Sequence, residues 1–169
     1  MTHRNILQVL SLLAFSLGPG FSVDLSQRET LKGLPGVEVN VLVTGLDDAR
    51  GADLQRSLQV DTELRLRQNK IRVLEANPSV PGRPVLFVRL AFYRSESPDV
   101  DASAFYVESH VAQDASLSRN SKLVRAVTYQ SSAMIGLTNT SVLRDHVRKS
   151  CSEVVDIFIN DFLAENPLP

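Results

Sequence analysis

The sequence contains very little cysteine: of its 169 residues, only Cys151 carries a thiol. One thiol cannot form a disulfide within the chain, so the fold must be held together by its apolar core. A bias of charge is also lacking, because 18 basic and 19 acidic side chains are interspersed and no run of five or six like charges occurs. Nucleic acid is therefore not an expected partner.

Motifs of the common catalytic and nucleotide-binding sites are absent as well. The sequence has no GxGxxG or GxxxxGK[ST] loop, no GxSxG turn and no HExxH pair. These motifs supply the phosphate-binding backbone, the nucleophile and the metal ligands of large enzyme classes. We therefore assign no catalytic, cofactor-binding or metal-binding residue, and we expect no cofactor.

Residues 1–22 have the pattern of a signal peptide. A basic start at 1–4 precedes the mostly apolar stretch 6–17 and the helix-breaking Gly18-Pro19-Gly20. This apolar stretch is shorter than the roughly 20 residues that cross a bilayer, so no span is expected in the mature chain. Small residues allow cleavage after Gly20 or after Ser22, and we expect the cut after Ser22. An uncleaved tether or a buried helix is the alternative.

Export to the bacterial periplasm or to the extracellular space follows from this leader. No cysteine lies at the cleavage point, so the lipid anchor of a bacterial lipoprotein is not expected. A domain without disulfides is ordinary for a periplasmic protein and unusual for a small secreted eukaryotic one. The sequence leaves the oligomeric state open.

Apolar residues at alternate positions predict five strands, at 37–43, 71–74, 85–93, 104–113 and 123–134. Strand 85–93 is apolar on both sides except at Arg89, which predicts that both of its faces are covered. In 104–113, Phe105, Val107 and Val111 share one face and Glu108 and His110 the other. Leu123, Val127 and Tyr129 are expected on a common face of the last strand.

Two helices are predicted from spacings of three and four residues. The first covers 53–68, and its expected inner face consists of Leu54, Leu58, Asp61, Leu64 and Gln68, with Val60 at the edge. The second has the apolar stripe Leu143, Val147, Cys151, Val154, Phe158 and Phe162. Residues 138–141 can cap its start, and Asn166-Pro167 ends it.

The predicted fold is an α+β two-layer sandwich in the order β-α-β-β-β-β-α. A mainly antiparallel sheet of four to five strands carries both helices on one face, because each helix has one apolar stripe to bury. Residues 36–166 form a single domain after the polar lead-in 23–35. The lead-in or a partner protein is expected to cover the second sheet face near its centre.

Few residues are candidates for chemistry. Glu108 and His110 share a strand face and could hold a metal, yet a zinc site needs three or four ligands. His146 and Cys151 are rotated apart by about 140° on one helix, so Cys151 is expected to be a buried apolar residue. Glu96, Asp99 and Asp101 could approach calcium, but they lack the spacing of a calcium loop.

The chain resembles a group of uncharacterised exported bacterial proteins over nearly its whole length. The resemblance is carried by RETLKGL at 28–34, ELRLRQ at 63–68, IRVL at 71–74 and DIFINDFLA at 156–164. The order of elements is also similar to that of the auxiliary lipoproteins of ABC-type lipid transporters and of the lipopolysaccharide-assembly lipoprotein. The resemblance implies two helices on one sheet and a role in the cell envelope, and it assigns no functional residue.

Three hypotheses follow for function. The first is an exported accessory or binding protein of the cell envelope that acts by contact with a protein or a lipid. The second is a small hydrolase or metal-dependent enzyme that uses His110 and Glu108. The third is a carrier with an apolar cavity between the sheet and the helices.

Overall fold

The computed structural model describes residues 25–76, 79–94, 102–139 and 141–168. The predicted signal peptide and its cleavage sites lie outside the described residues, as do Glu96, Asp99 and Asp101. The elements are α1 (Leu25–Glu29), β1 (Glu38–Thr44), α2 (Asp48–Gln68), β2 (Val85–Arg94), β3 (Ser103–Ser116), β4 (Leu123–Gln130), β5 (Met134–Thr138) and α3 (Leu143–Glu165). The predicted α+β class is confirmed.

The strands form one mixed sheet in which β3 is the central element. β1 pairs with β2 in parallel, and β2 pairs with β3 antiparallel. The first half of β3 pairs with β5 and its second half with β4. β4 and β5 therefore follow each other along the same side of β3.

The single strand predicted at 123–134 is wrong, because residues 131–133 interrupt it. The Ser131 hydroxyl lies 2.8 Å from the Ser109 hydroxyl and donates to the Ser109 carbonyl oxygen at 3.1 Å. The Ser131 N–H still donates to the Ser109 carbonyl oxygen at 2.8 Å, but the Ser109 N–H donates to the Ser131 hydroxyl at 3.2 Å. The Ser131 side chain thus replaces one backbone acceptor of the ladder between β4 and β5.

The strand predicted at 71–74 is also wrong: only an isolated bridge joins Val73 to Val37. Beyond this bridge the outer edge of β1 is paired by a side chain of α2. The Gln59 amide accepts from the Val41 N–H at 3.1 Å and donates to the Val39 carbonyl oxygen at 3.0 Å. The parallel bridge places 71–74 opposite 35–38, so the segment faces mostly residues that precede β1, and Gln59 occupies the edge beyond it.

Both helices pack on the same face of the sheet, as predicted. In α3, Val147, Cys151, Val154, Phe158 and Phe162 are buried as expected, and Leu143 packs partly buried against the core. The predicted cap at 138–141 is wrong. Val142 is the residue before the helix and makes no side-chain capping bond, while Thr138 belongs to β5.

The predicted inner face of α2 is correct only in its first half. Leu54 and Leu58 are buried, but the buried residues that continue the stripe are Thr62 and Leu66. Leu64 is 51% exposed. The prediction failed because Thr62, polar by type, takes the core position between two leucines.

The described part of the lead-in packs against α3 and β4 rather than on the second face of the sheet. Leu31 is completely buried, and Arg28 pairs with Asp161 at 3.2 Å. The Asn166 amide accepts from the Gly33 N–H at 2.7 Å and donates to the Leu31 carbonyl oxygen at 2.9 Å. The expectation that the lead-in covers the second face is wrong for residues 25–35.

An extra residue in β4 changes which of its side chains reach the core. Val111 pairs with Tyr129, but the next residue, Ala112, pairs with Val127, so Thr128 forms a bulge. Tyr129 is therefore fully buried, whereas Leu123 and Val127 are exposed on the opposite face. The prediction that these three side chains share one face is wrong.

No helix within the described ranges combines the length and the apolarity that a membrane crossing requires.

Candidate functional site

The sheet surface opposite α2 and α3, called here the open face, exposes several large apolar side chains. None of the described helices lies on it. Its exposed apolar residues are Leu42, Tyr93, Leu123, Val127, Ile135 and Leu137. Ile135 and Leu137 are the most exposed of these, at 80% and 79%, and both belong to β5. Large contiguous apolar patches on a folded protein mark contact sites, and Ile135 and Leu137 are alternate residues on one side of β5.

Glu108 lies at the centre of the open face and is only 5% exposed, because polar side chains surround its carboxylate. One oxygen, Oε1, accepts from Arg89 Nη1 at 3.0 Å. The other, Oε2, accepts from the Tyr106 hydroxyl at 2.6 Å and from Gln130 Nε2 at 3.0 Å. Three donors thus take up most of the acceptor capacity of this carboxylate.

Tyr106 acts as a permanent donor in this cluster. Burial and the hydrogen bond to Glu108 raise the pKa of its hydroxyl to about 12. The hydroxyl therefore stays protonated at physiological pH and holds the Glu108 carboxylate in place.

The structure brings His110 next to Glu108, as the alternation predicts, but does not join them by a hydrogen bond. The distance from His110 Nδ1 to Glu108 Oε1 is 4.0 Å, which is too long. The imidazole instead stacks on Phe87, with ring centroids 5.1 Å apart and an angle of 19° between the planes. Partial burial lowers the pKa of His110, and this effect exceeds the opposing influence of Glu108.

Glu108 and His110 also lack further ligands of the kind a metal requires. Across the described ranges, no three His, Cys, Asp or Glu side chains are grouped so that they could hold a metal ion. Asp114 lies four residues after His110 on β3. Its carboxylate is already paired with Arg83 at 2.6 Å and with Arg125 at 3.4 Å.

His146 and Cys151 do not come together. His146 is exposed near the start of α3, whereas Cys151 is 3% exposed in the core. Burial raises the pKa of the Cys151 thiol to about 12. The thiol is therefore protonated and shielded, which is the opposite of what a nucleophilic cysteine needs.

The free edge of β5 is the second feature of this site. The outer edge of β1 is paired by Gln59, as described above. The outer edge of β4 is partly covered by the lead-in, because the Gln130 N–H donates to the Gln27 side chain at 3.3 Å and Thr30 donates to the Thr128 carbonyl oxygen at 3.1 Å. Within the described residues, β5 pairs only with β3, so its other side carries no strand.

A cavity of about 450 Å³, called here the end cavity, lies between the sheet and both helices where β1 and β2 end. Leu46, Leu54, Phe92 and Leu143 are its apolar lining. Its charged lining consists of Arg50, Arg94, Arg144, Asp47 and Asp53. A cavity between these layers is what the carrier hypothesis requires.

The sequence singled out Glu108 and Arg89 separately but did not predict their pairing, and it gave no role to Tyr106 or Gln130. Arg89 stood out as the charged residue in an apolar strand, and this was the available signal for its pairing with Glu108. The contribution of Gln130 could not be found, because it depends on the bulge at Thr128. Arg94 and Arg144 were missed because they lie far apart in sequence and meet only at the end cavity.

No protein-family model matches this chain, and a comparison with curated proteins finds no relative.

Proposed function

We propose that this chain is an exported accessory or binding protein of the cell envelope, which contacts a partner protein through β5 and the open face. The observation that carries the proposal is the free edge of β5 together with the exposed Ile135 and Leu137. The partner would contribute an extended segment that pairs with this edge and places apolar side chains on the open face.

The contrast between the sheet edges supports this assignment. An unpaired edge with apolar side chains favours pairing with another chain, and proteins normally block it. Here Gln59 blocks β1, and Gln27 and Thr30 cover part of β4. Adding a strand to the remaining edge is a common mode of peptide recognition, in which the backbone provides affinity and alternate side chains provide selectivity.

The enzyme alternative with His110 and Glu108 has less support. A general acid or base must lie within hydrogen-bond reach of its substrate and needs free acceptor or donor capacity. Glu108 is occupied by three donors, and the His110 ring is stacked on Phe87. The cluster serves better as a rigid polar centre for the open face.

A site-specific crosslinking experiment tests the contact. A photo-crosslinking amino acid is placed at position 135 or 137 in the source cell, and at position 60 as a matched control, because Val60 is 58% exposed on α2. We expect the same envelope protein to be captured from 135 and 137 and not from 60. Equal capture from position 60, or crosslinks only to a second copy of this chain, would contradict the proposal.

Two further measurements in the same experiment separate contact from folding and test export. Ile135→Lys should abolish capture from position 137, and Leu137→Lys should abolish capture from position 135. Each should change the free energy of unfolding by less than about 0.5 kcal/mol, because both side chains are exposed. Mass spectrometry of the N-terminus should find Val23 as the first residue. An intact Met1 in the captured protein would refute processing after Ser22.

A further inference from the structure

The end cavity has the size and the lining of a small-molecule site. Its volume of about 450 Å³ lies within the range of roughly 300–1,000 Å³ that is typical of such sites. The side chains of Leu54 and Phe92 are otherwise buried in the core and form part of its wall. Because β1 and β2 are parallel, the cavity lies at the carboxyl ends of both strands, where open sheets commonly bind ligands.

The charges around the end cavity are unequal. Among the described residues, three arginines and two aspartates line it, so these side chains carry one positive charge in excess. Arg50 pairs with Asp47 at 3.3 Å, and Arg144 pairs with Asp53 at 3.1 Å. Arg94 has no ion pair within the described residues, so it is the guanidinium that is available to an anion.

The pair between Arg144 and Asp53 joins α3 to α2 beside the cavity. Both side chains are more than half exposed, and an ion pair in such a position contributes little to stability. Breaking this pair when a ligand binds would therefore cost the fold little.

We propose that the end cavity binds a monoanionic amphiphile, a carboxylate with an apolar tail such as a fatty acid. The carboxylate would pair with Arg94, whose planar guanidinium matches a carboxylate in two parallel hydrogen bonds. The tail would contact Leu46, Leu54, Phe92 and Leu143. This inference goes beyond the proposed contact through β5 and does not depend on it.

The single excess charge favours a carboxylate over a phosphate monoester. A phosphate group carries about −1.5 to −2 at pH 7, which one free guanidinium does not neutralise. A neutral alcohol would leave Arg94 beside an apolar ligand without a counter-charge. The charge balance thus selects a ligand with one negative charge.

Two other cavities have comparable volumes. One, of about 470 Å³, lies between β1 and α2, and mainly polar side chains line it, among them Asn40, Gln55, Arg56 and Gln59. The other has a volume of about 410 Å³ and is lined by Arg83 and Arg125 together with Glu38 and Glu75. Both arginines already pair with Asp114. The described charged residues of this cavity balance, so we expect no binding of an anion there, and a substitution in this cavity can serve as a control.

Isothermal titration of the purified, delipidated protein tests the proposal with three probes: dodecanoate and dodecyl phosphate below their micellar concentrations, and dodecanol below its solubility limit. We expect dodecanoate to bind with one-to-one stoichiometry and to bind at least about tenfold more tightly than dodecanol, because the charged contact is worth that much in favourable cases. Arg94→Gln should reduce dodecanoate affinity by a similar factor and leave dodecanol unaffected. The matched control Arg125→Gln should bind dodecanoate as the unmodified protein does.

A second variant, Leu46→Trp, fills the cavity from the loop after β1 and should abolish binding of dodecanoate. Thermal unfolding of each variant verifies that it is folded under the conditions of the titration. Absence of dodecanoate binding, or binding that Arg94→Gln and Leu46→Trp leave unchanged, would overturn the site. Tighter binding of dodecyl phosphate would overturn the choice of a carboxylate. Crosslinking at 135 and 137 would be unaffected by any of these results.

Discussion

Glu108 is buried in the middle of a sheet face that no described helix covers, because its neighbours Arg89, Tyr106 and Gln130 form a shell around it. Such a carboxylate is stabilised only while its donors stay in place. His110 borders the same shell and is partly buried against Phe87. At the scale of single residues, the open face therefore contains a histidine whose environment opposes its protonation.

The stability of the protein should fall as His110 is forced to accept a proton. Burial lowers the folded-state pKa of His110 below its ordinary value of 6.5. Below pH 6.5 the unfolded chain then binds more protons than the folded one, so the free energy of unfolding decreases as the pH falls. We expect urea denaturation at pH 7.5 and 5.5 to show a larger loss for the unmodified protein than for His110→Gln. Because only one group titrates differently, the losses of unfolding free energy in the two proteins should differ by at most about 1.4 kcal/mol.

The matched control for this measurement is His146→Gln, which changes an exposed histidine on α3. It should keep the pH dependence of the unmodified protein. An unchanged pH dependence in His110→Gln would show that the open face does not resist protonation of His110.

Residue positions were predictable where side chains alternate regularly and not where the backbone departs from the pattern. The placement of Glu108 and His110 opposite Phe105 and Val107 followed from the alternation in β3, and the burial of Cys151 followed from the stripe in α3. Leu123 and Val127 were placed on the wrong face because the bulge at Thr128 shifts the alternation by one residue. Nothing in the local sequence marks that bulge, because it is a property of the pairing between β4 and β3.

At the scale of elements, the edge of β1 is closed by one side chain from α2. Gln59 pairs with the backbone of Val39 and Val41 and also donates to Glu63 at 2.7 Å. The Gln59 side chain thus makes the backbone hydrogen bonds that a neighbouring strand would otherwise make. The predicted strand at 71–74 is reduced to a bridge at Val73 because it lies opposite 35–38, mostly before β1 begins. Periodicity reports which residues can form a strand and not where the partner strand begins.

Replacing Gln59 should weaken the protein and expose this edge. In Gln59→Leu, the Val41 N–H and the Val39 carbonyl oxygen lose their partner, which should cost about 1–3 kcal/mol of unfolding free energy. The freed edge should also promote association. Urea denaturation and light scattering measure the two effects.

Gln55→Leu is the control, because Gln55 is an exposed glutamine one turn earlier on α2. It should change the unfolding free energy by less than about 0.5 kcal/mol. Equal losses in both variants would mean that the β1 edge gains nothing from Gln59.

At the scale of the whole molecule, the two-layer arrangement was predictable and the sites were not. Each helix had one apolar stripe, so placing both on one sheet face followed from burial alone. The end cavity depends on how the ends of β1 and β2 meet the starts of α2 and α3, which no local pattern encodes. The fit of Leu31 into the core was missed because a single leucine in a polar segment has no periodicity.

The parallel pairing of β1 with β2 also determines the order in which the molecule can assemble. β2, β3 and β4 follow one another along the chain as antiparallel neighbours. β1 can pair with β2 only after the long connection that contains α2 has brought the two parallel strands together. Closing a longer loop costs more entropy before any contact compensates for it. During refolding, pulsed hydrogen exchange should therefore find amides of β2 and β3 protected before those of β1. Protection of β1 first would show that α2 and β1 nucleate the fold instead.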